Sequence, residues 1–229
     1  MSCPNCFSGN IHQGTPRGEV TSLHGLQAYT TKPLNEDMRP RSVCCLQQKS
    51  CSIPADSQLG LSSPSMLTGM VPFMYYNTFG VTWPIIRDFF KSVRENEGAE
   101  VPIYGAGFCW GGKYIVNLAA GADTASNGKP LLNAGFTGHP SFLEIPSEIE
   151  KIRIPVSFAL AEKDMVVKPP HIEQIKQVFL SESGTGKGEV VVYEGAGHGF
   201  CVRADFLQED ASRQADEAEN QALAWFERY

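Results

Sequence analysis

The stretch from Gly105 to Gly112 constrains the fold of this chain more than any other segment. A short apolar run, Val101–Tyr104, precedes it, and apolar residues at helical spacing follow it over Lys113–Ala120. Between them, the sequence Gly-Ala-Gly-Phe-Cys-Trp-Gly-Gly places a glycine two residues before Cys109 and another two residues after it. Glycines at these places allow a strained turn and a close approach of strand and helix. The segment therefore predicts a strand, a sharp turn and a helix, with Cys109 at the turn.

Strands and helices alternate along the rest of the chain from residue 83 onward. Apolar residues at helical spacing after Trp83-Pro84 predict a helix that Glu97-Gly98 ends. The other predicted elements are strands at Leu131–Phe136, Ile154–Leu160 and Glu189–Tyr193, and helices at Pro170–Leu180 and Gln208–Arg228. Such alternation is typical of a mostly parallel sheet with helices on both faces. We therefore predict an α/β fold in a single domain that comprises residues 1–229.

The first third of the chain has a weaker pattern. Apolar residues on either side of His24-Gly25 predict a hairpin of two short strands between Glu19 and Thr31. From Lys32 to about Ser65 the residues follow neither the strand period nor the helix period, which predicts a loop or poorly ordered chain. We therefore expect the sheet to be incomplete or irregular between residues 33 and 79.

Charge and composition exclude several kinds of partner. The formal net charge of -6 argues against nucleic acid, because binding to phosphates needs clustered lysine and arginine. No stretch reaches the roughly 18 apolar residues that a membrane span requires, and the first residues lack a secretory leader pattern. The cysteines number 7, an odd count at irregular spacing, which argues for reduced thiols. We therefore predict a cytoplasmic protein without a membrane partner.

Cys109 is the strongest candidate for chemistry. Gly107-Phe-Cys-Trp-Gly111 has the pattern of a nucleophile elbow with cysteine in place of serine. The amino end of a helix favours the thiolate, which is the form that attacks. One alternative is that Cys109 is a small buried apolar residue. Another is a nucleotide-binding turn, although Asp123 precedes the next strand, whereas such a site needs an acidic residue at that strand's end.

Two downstream residues complete a candidate catalytic set. Asp164 follows one predicted strand, and His198, which lies between two glycines, follows another. Open α/β sheets place their sites at the carboxyl ends of strands, and the chain order Cys, Asp, His is that of the α/β-hydrolase fold. In this interpretation His198 takes the thiol proton, Asp164 orients the imidazole and the Trp110 backbone N–H stabilises the oxyanion. Taken singly, Asp164 is more often a structural loop residue.

Cys3 and Cys6 have the spacing of a redox pair or of half a zinc site. The sequence has no second pair of this kind, and His12 and His24 lack paired ligand spacing. We therefore predict no metal site.

Several segments of the chain resemble the dienelactone hydrolase family, in particular its fungal members. They are Met1-Ser-Cys-Pro-Asn-Cys-Phe-Ser-Gly, Gly25-Leu26, Gly107-Phe-Cys-Trp-Gly-Gly, His139-Pro-Ser-Phe-Leu, Ala161-Glu-Lys-Asp164 and Gly197-His-Gly-Phe-Cys-Val-Arg203. The resemblance covers about residues 1–33 and 80–229. It implies an α/β-hydrolase fold without a metal or organic cofactor. It also implies that Cys109, Asp164 and His198 catalyse hydrolysis, as in a carboxymethylenebutenolidase. The partner is then a small-molecule substrate, either a cyclic enol-lactone or a small ester.

The resemblance bears on two further residues. Bacterial members of the family have an arginine that binds the substrate carboxylate shortly after the histidine, and Arg203 lies one position further on. A guanidinium fork suits a carboxylate, while a solvated surface arginine is the alternative. His139 lies where the family has a feature close to the site, and a packed structural histidine is the favoured interpretation.

Between residues 33 and 79 the chain departs from the family pattern, which has two strands, a helix and the loop with the second oxyanion donor there. Loss of one such donor lowers an enzyme's rate by about 100- to 1000-fold. The sequence therefore leaves a second interpretation open. The chain is then a catalytically impaired, non-enzymatic relative that acts as a binding protein or exists as an unstable fragment.

Overall fold

The computed structural model describes residues 18–31, 42–46, 75–181, 187–205 and 207–229. The strands are β1 (Glu19–Leu23), β2 (Leu26–Thr30), β3 (Ser42–Leu46), β4 (Ile103–Phe108), β5 (Ala134–Gly138), β6 (Val156–Ala161) and β7 (Gly188–Tyr193). The helices are α1 (Phe79–Glu95), α2 (Trp110–Ala119), α3 (Pro169–Leu180) and α4 (Glu209–Glu227).

Five strands form one parallel sheet in the order β3-β4-β5-β6-β7. Each neighbouring pair is parallel, with Tyr104 of β4 opposite Ala134 of β5 and Val156 of β6 opposite Gly188 of β7. All carboxyl ends therefore lie along one edge of the sheet, and the predicted α/β fold with a mostly parallel sheet is confirmed. The predicted hairpin is also confirmed, since β1 and β2 pair antiparallel.

The prediction of a loop from Lys32 to about Ser65 is wrong at Ser42–Leu46, which forms β3. This strand pairs with β4 from Ser42 opposite Ile103 to Leu46 opposite Gly107. Five residues without alternation carry no period to detect, and the strand forms because the edge of β4 supplies its backbone hydrogen bonds. The rest of the predicted irregular segment, 33–41 and 47–74, lies outside the described residues.

Most of the other predicted elements are shifted by a few residues at one or both ends, and two of these shifts are informative. The first predicted helix begins earlier, at Phe79, and contains Pro84, whose missing N–H removes only one backbone hydrogen bond. The strand predicted at Leu131–Phe136 is β5, which begins at Ala134 because the preceding apolar residues Leu131 and Leu132 are buried without being part of the sheet. Burial and strand formation give the same apolar signal in a sequence, so the sequence alone does not separate them.

Helices cover the sheet on both faces. Successive side chains of a strand point to opposite faces, and in β4 Ile103 packs in one apolar cluster while Tyr104 packs in the other. The first cluster includes Phe90 of α1 and residues of α2 and α3, and the second includes Trp225 of α4. The sheet is therefore a rigid central layer, and its carboxyl edge is the place where loops can carry a site.

Candidate active site

Four polar residues follow four neighbouring strands at the carboxyl edge of the sheet. Cys109 directly follows β4, Ser141 follows β5, Asp164 follows β6 and His198 follows β7. Because these strands are parallel neighbours, the loops after them meet at the same edge. Residues that are far apart along the chain are thereby brought together.

The backbone at Cys109 is strained and is held by hydrogen bonds. Its φ of 52° and ψ of -117° place a non-glycine residue in a region that L-residues rarely adopt. The Cys109 N–H donates to the Gly138 carbonyl at 3.2 Å, and the Cys109 carbonyl accepts from the N–H groups of Gly112 and Ser141 at 3.1 and 2.9 Å. The turn therefore fixes the sulfur between the sheet and α2.

Gly107 allows α2 to approach β4 at this turn. A Cβ on Gly107 would lie 2.6 Å from Cγ1 of Ile115 and 2.7 Å from the carbonyl carbon of Gly111. The latter is a backbone atom, which cannot move away by a side-chain rotation. We expect Gly107→Ala to lower the free energy of unfolding by about 1–3 kcal/mol, measured by urea denaturation. Gly80→Ala is the matched control, since a Cβ there meets no atom within 4 Å and alanine favours a helix. Equal stability of the two variants would contradict the close packing.

The three side chains predicted from the sequence lie in contact. The Cys109 Sγ lies 3.2 Å from Nε2 of His198, and Nδ1 of His198 lies 2.8 and 3.1 Å from the two carboxylate oxygens of Asp164. Asp164 Oδ1 also accepts from the Val166 N–H at 2.7 Å. Both the imidazole and the carboxylate are 1 % exposed, so solvent does not screen their interaction.

Two hydrogen bonds, one between backbone groups and one from a backbone N–H to a side chain, hold the Asp164 loop to the His198 loop. The Gly195 N–H donates to Oε2 of Glu162 at 2.8 Å, and the Lys163 N–H donates to the Ala196 carbonyl at 2.9 Å. These bonds join the residues directly before Asp164 to those directly before His198. The carboxylate and the ring are therefore positioned by backbone as well as by their own hydrogen bonds.

The electrostatics of His198 favour its charged form. Burial alone lowers the pKa of His198, but hydrogen bonds to Asp164 and Cys109 and the charges of both groups outweigh it and raise the pKa to about 9. At neutral pH the ring is therefore an imidazolium. Nδ1–H then donates to the carboxylate, and Nε2–H donates to the sulfur.

Ser141 is a site residue that sequence reasoning missed. Its Oγ lies 3.4 Å from the Cys109 Sγ and 3.4 Å from Nε2 of His198, and the residue is buried. In the sequence it lies within the family-like segment His139-Pro-Ser-Phe-Leu, but its own signal is only that of a polar residue shortly after a buried strand. That signal is shared by many loop residues, and only the strand order shows that this loop crosses the elbow.

His139 is packed beside the site rather than in contact with the sulfur. It is fully buried, its ring lies edge-on to the His198 ring at 5.0 Å, and Phe108 and Phe200 flank it. Burial, with the nearby charges of His198 and Arg203, holds the pKa of His139 well below its usual value, so the ring is neutral. Neither ring nitrogen has a hydrogen-bond partner within the described ranges. The geometry supports a packing role.

A cavity of about 550 Å³ adjoins the His198 loop. Its lining includes His198, Arg203 and Arg213, while Cys109 is not part of it. The Arg203 N–H donates to the Gly199 carbonyl at 2.9 Å, and its side chain packs against Gly199. The guanidinium predicted to bind substrate therefore lies on the loop that carries His198.

Trp110 is the first residue of α2, and its ring packs on Tyr114 with centroids 4.3 Å apart. The backbone N–H of Trp110 therefore lies at the amino end of the helix, directly after Cys109. Most of the segment in which the family has a second oxyanion donor, and the Cys3 and Cys6 pair, lie outside the described residues.

The described residues contain neither a metal-binding cluster nor a helix suited to a bilayer. In those ranges, no group of three His, Cys, Asp or Glu side chains is arranged to hold a metal ion. In the same part of the chain, no helix combines the length and the apolar character needed to cross a bilayer.

The parallel sheet and the elbow at its carboxyl edge place the chain in the class of α/β-hydrolases. Among solved structures, esterase 2 of Thermogutta terrifontis matches with a TM-score of 0.59 at 17% identity, over 94% of this chain and 97% of that one. A predicted hydrolase of Thermoplasma acidophilum matches with a TM-score of 0.51 at 12% identity, over 90% of this chain and 97% of that one. These likenesses support the fold.

Within that class, the chain belongs to the dienelactone hydrolase family, whose pattern matches residues 84–229. Fungal relatives include the hydrolase pyvD of Aspergillus violaceofuscus, which is 24% identical over 98% of this chain and 95% of the relative. The dienlactone hydrolase 1 of Gibberella moniliformis is 20% identical over 86% of this chain and 82% of the relative. The resemblance predicted from the motifs is confirmed, and family membership supports a hydrolase.

Proposed function

We propose that this chain hydrolyses a cyclic enol-lactone or a small ester by covalent catalysis from Cys109. One observation carries the proposal. The Cys109 Sγ lies 3.2 Å from Nε2 of His198, whose other ring nitrogen meets Asp164 at 2.8 Å. A nucleophile, a base and a group that orients the base, in contact in this order, are the requirements of acyl transfer.

In the first half of the reaction, the Cys109 proton resides on His198 and the thiolate attacks the carbonyl carbon. A C–S bond forms, and the carbonyl π electrons move to the oxygen, where the Trp110 N–H stabilises the charge. The C–O bond of the ester then breaks, and His198 gives its proton to the leaving oxygen. In a lactone this oxygen stays attached to the acyl group, so ring opening leaves the whole substrate on the enzyme.

In the second half, His198 takes a proton from water and the hydroxide adds to the thioester carbon. Collapse of this adduct breaks the C–S bond, and Cys109 leaves as the thiolate beside the imidazolium. Asp164 stabilises the imidazolium in both halves, because its carboxylate accepts the Nδ1 proton throughout. Atoms and protons balance with water as the only co-reactant.

Arg203 is proposed to bind a carboxylate of the substrate from the His198 side of the site. A guanidinium presents a planar fork of donors that matches a carboxylate. Its place in the lining of the cavity next to His198 supports this role. We propose further that the activity belongs to one domain, residues 1–229, in the cytoplasm.

Alkylation by iodoacetamide at pH 6 tests the proposal. A thiolate held by an imidazolium reacts below neutral pH, whereas an ordinary cysteine has a pKa of about 8.5 and reacts slowly there. We expect Cys109 to be modified first and hydrolysis of a small ester to fall in parallel, with peptide mass spectrometry locating the adduct. Cys201 is the internal control, because burial raises the pKa of its thiol.

Two results would count against this function. If Cys109 is modified no faster than free cysteine, it is not an activated thiolate. Rapid modification of Cys109 in a protein that hydrolyses neither small esters nor enol-lactones would favour the non-enzymatic relative, which keeps the reactive pair without turnover.

A further inference from the structure

We propose that Ser141 is a further catalytic residue, whose hydroxyl donates a hydrogen bond to the Cys109 thiolate and helps to hold the sulfur ionised. The inference rests on the proposed function, since it concerns the same thiolate. It adds a hydroxyl donor at the sulfur to the imidazolium donor of His198.

The distances and the protons identify the sulfur as the acceptor. Ser141 Oγ lies 3.4 Å from both the Cys109 Sγ and Nε2 of His198. A separation of 3.4 Å is long for an oxygen–nitrogen bond, whose usual range is about 2.7–3.2 Å, but sulfur has a larger radius. An imidazolium Nε2 carries a proton and accepts nothing. The Ser141 hydroxyl proton therefore points to the thiolate.

The loop that carries Ser141 is strained on both sides of it. His139 and Phe142 have φ values of 38° and 61°, in the left-handed region that non-glycine residues rarely adopt. Such strain persists only where surrounding contacts impose the conformation, and it is concentrated at functional sites. Here the Ser141 N–H donates to the Cys109 carbonyl at 2.9 Å, which fixes the serine to the elbow itself.

A buried ion pair ties the same loop to the helix that follows Cys109. Lys113 of α2 donates to the Phe142 carbonyl at 2.9 Å and to Oε1 of Glu148 at 2.9 Å. The same Glu148 oxygen accepts from Asn117 of α2 at 3.0 Å, and its second oxygen accepts from the Glu144 N–H at 2.8 Å. The backbone that carries Ser141 is therefore held by this scaffold at a fixed place relative to the helix that follows Cys109.

The second donor has a defined chemical effect. A hydrogen bond to a charged acceptor shifts the ionisation midpoint of a thiol down by about one pH unit, because it stabilises only the thiolate. Ser141 keeps its proton throughout and forms no covalent bond. It stabilises the sulfur charge before attack, and again when the C–S bond breaks and the thiolate leaves.

The test is the pH profile of Cys109 alkylation in Ser141→Ala and in the parent protein. We expect the midpoint to rise by about one unit in the variant. A thiolate of higher pKa is also more nucleophilic, by about threefold per unit. Below both midpoints the variant should therefore react about threefold more slowly, and above both about threefold faster. Profiles that cross in this way are not produced by a loosened loop, which raises or lowers the rate at every pH.

Ser141→Thr and Ser141→Val form a matched pair, because the two side chains have the same shape and differ in the hydroxyl. We expect the Thr midpoint to lie about one unit below the Val midpoint. Equal midpoints in the Thr and Val variants overturn the role of Ser141 and leave the proposed function intact. Equal midpoints in Ser141→Ala and in a parent whose Cys109 reacts below neutral pH do the same. A parent Cys109 that reacts like free cysteine overturns both. Loss of the fold in all three variants would make Ser141 structural and also overturn the role.

Discussion

Cys109→Ala lowers the rate of ester hydrolysis by about 10⁴-fold or more. Removal of the nucleophile leaves only substrate binding and the oxyanion donors, and in a serine triad the corresponding loss is about 10⁶-fold. Nothing else in the described site replaces the sulfur, since the Ser141 hydroxyl is buried and lies 3.4 Å from His198, too far for efficient proton transfer. The measurement is kcat for an ester or enol-lactone that the parent hydrolyses.

Cys201→Ala is the control for this prediction. It removes the same chemical group close to the same loop, but the Cys201 thiol packs against Gly138, and burial raises its pKa. We expect activity within about twofold of the parent, since the change removes one sulfur atom that takes no part in the hydrogen bonds between Cys109, His198 and Asp164. Retention of a tenth or more of the parent rate in Cys109→Ala would contradict covalent catalysis from this residue.

Asp164→Asn lowers kcat by about 10³- to 10⁴-fold and moves the pH profile. The carboxylate accepts the Nδ1 proton of His198 at 2.8 Å, and an amide neither stabilises the imidazolium nor selects the same tautomer. Both partners are 1 % exposed, so the amide would leave the buried imidazolium without its carboxylate partner. The ring avoids this cost by losing its proton.

The direction of the pH shift follows from the pKa of His198. In the parent, hydrogen bonds and charge raise that pKa to about 9 against the effect of burial, so the imidazolium is present below pH 9 and is lost as the pH rises through it. Without the carboxylate, the hydrogen bond and the charge of Asp164 no longer raise the pKa of His198, which therefore falls. The alkaline limb of kcat/KM should therefore lie near pH 9 in the parent and at lower pH in Asp164→Asn.

Asp88→Asn is the matched control, because the same change is made at an exposed carboxylate on α1 that pairs only with Arg87 among the described residues. We expect its pH profile to coincide with that of the parent. An alkaline limb that stays in place in Asp164→Asn would show that another group controls the ionisation.

The arrangement of the site explains why a cysteine suits this elbow. The sulfur is placed between an imidazolium and a hydroxyl, close to the amino end of α2. All three favour negative charge on the sulfur, and a thiolate is the reactive form. A serine hydroxyl at the same place would gain less, because its ionisation lies far above the range in which these donors act.

The elbow, the order of the site residues and the alternation of strands and helices were determined by the sequence itself. These features are local. The glycines that flank Cys109 indicate a strained turn. His198 lies between two glycines, which argues against a packing role for it. Asp164 and His198 follow buried strands, and parallel strands bring their carboxyl ends to one edge wherever they stand in the sheet.

Only the tertiary structure decided that β3 joins the sheet and that Ser141 reaches the sulfur. The five residues of β3 have no period of their own, and the edge of β4 makes them a strand by pairing with them. The local sequence around Ser141 does not show its role, because that role depends on β5 lying directly beside β4 and on a strained loop held by Lys113. Both depend on which strands are neighbours, and that is set by packing over the whole sheet rather than by any short stretch of sequence.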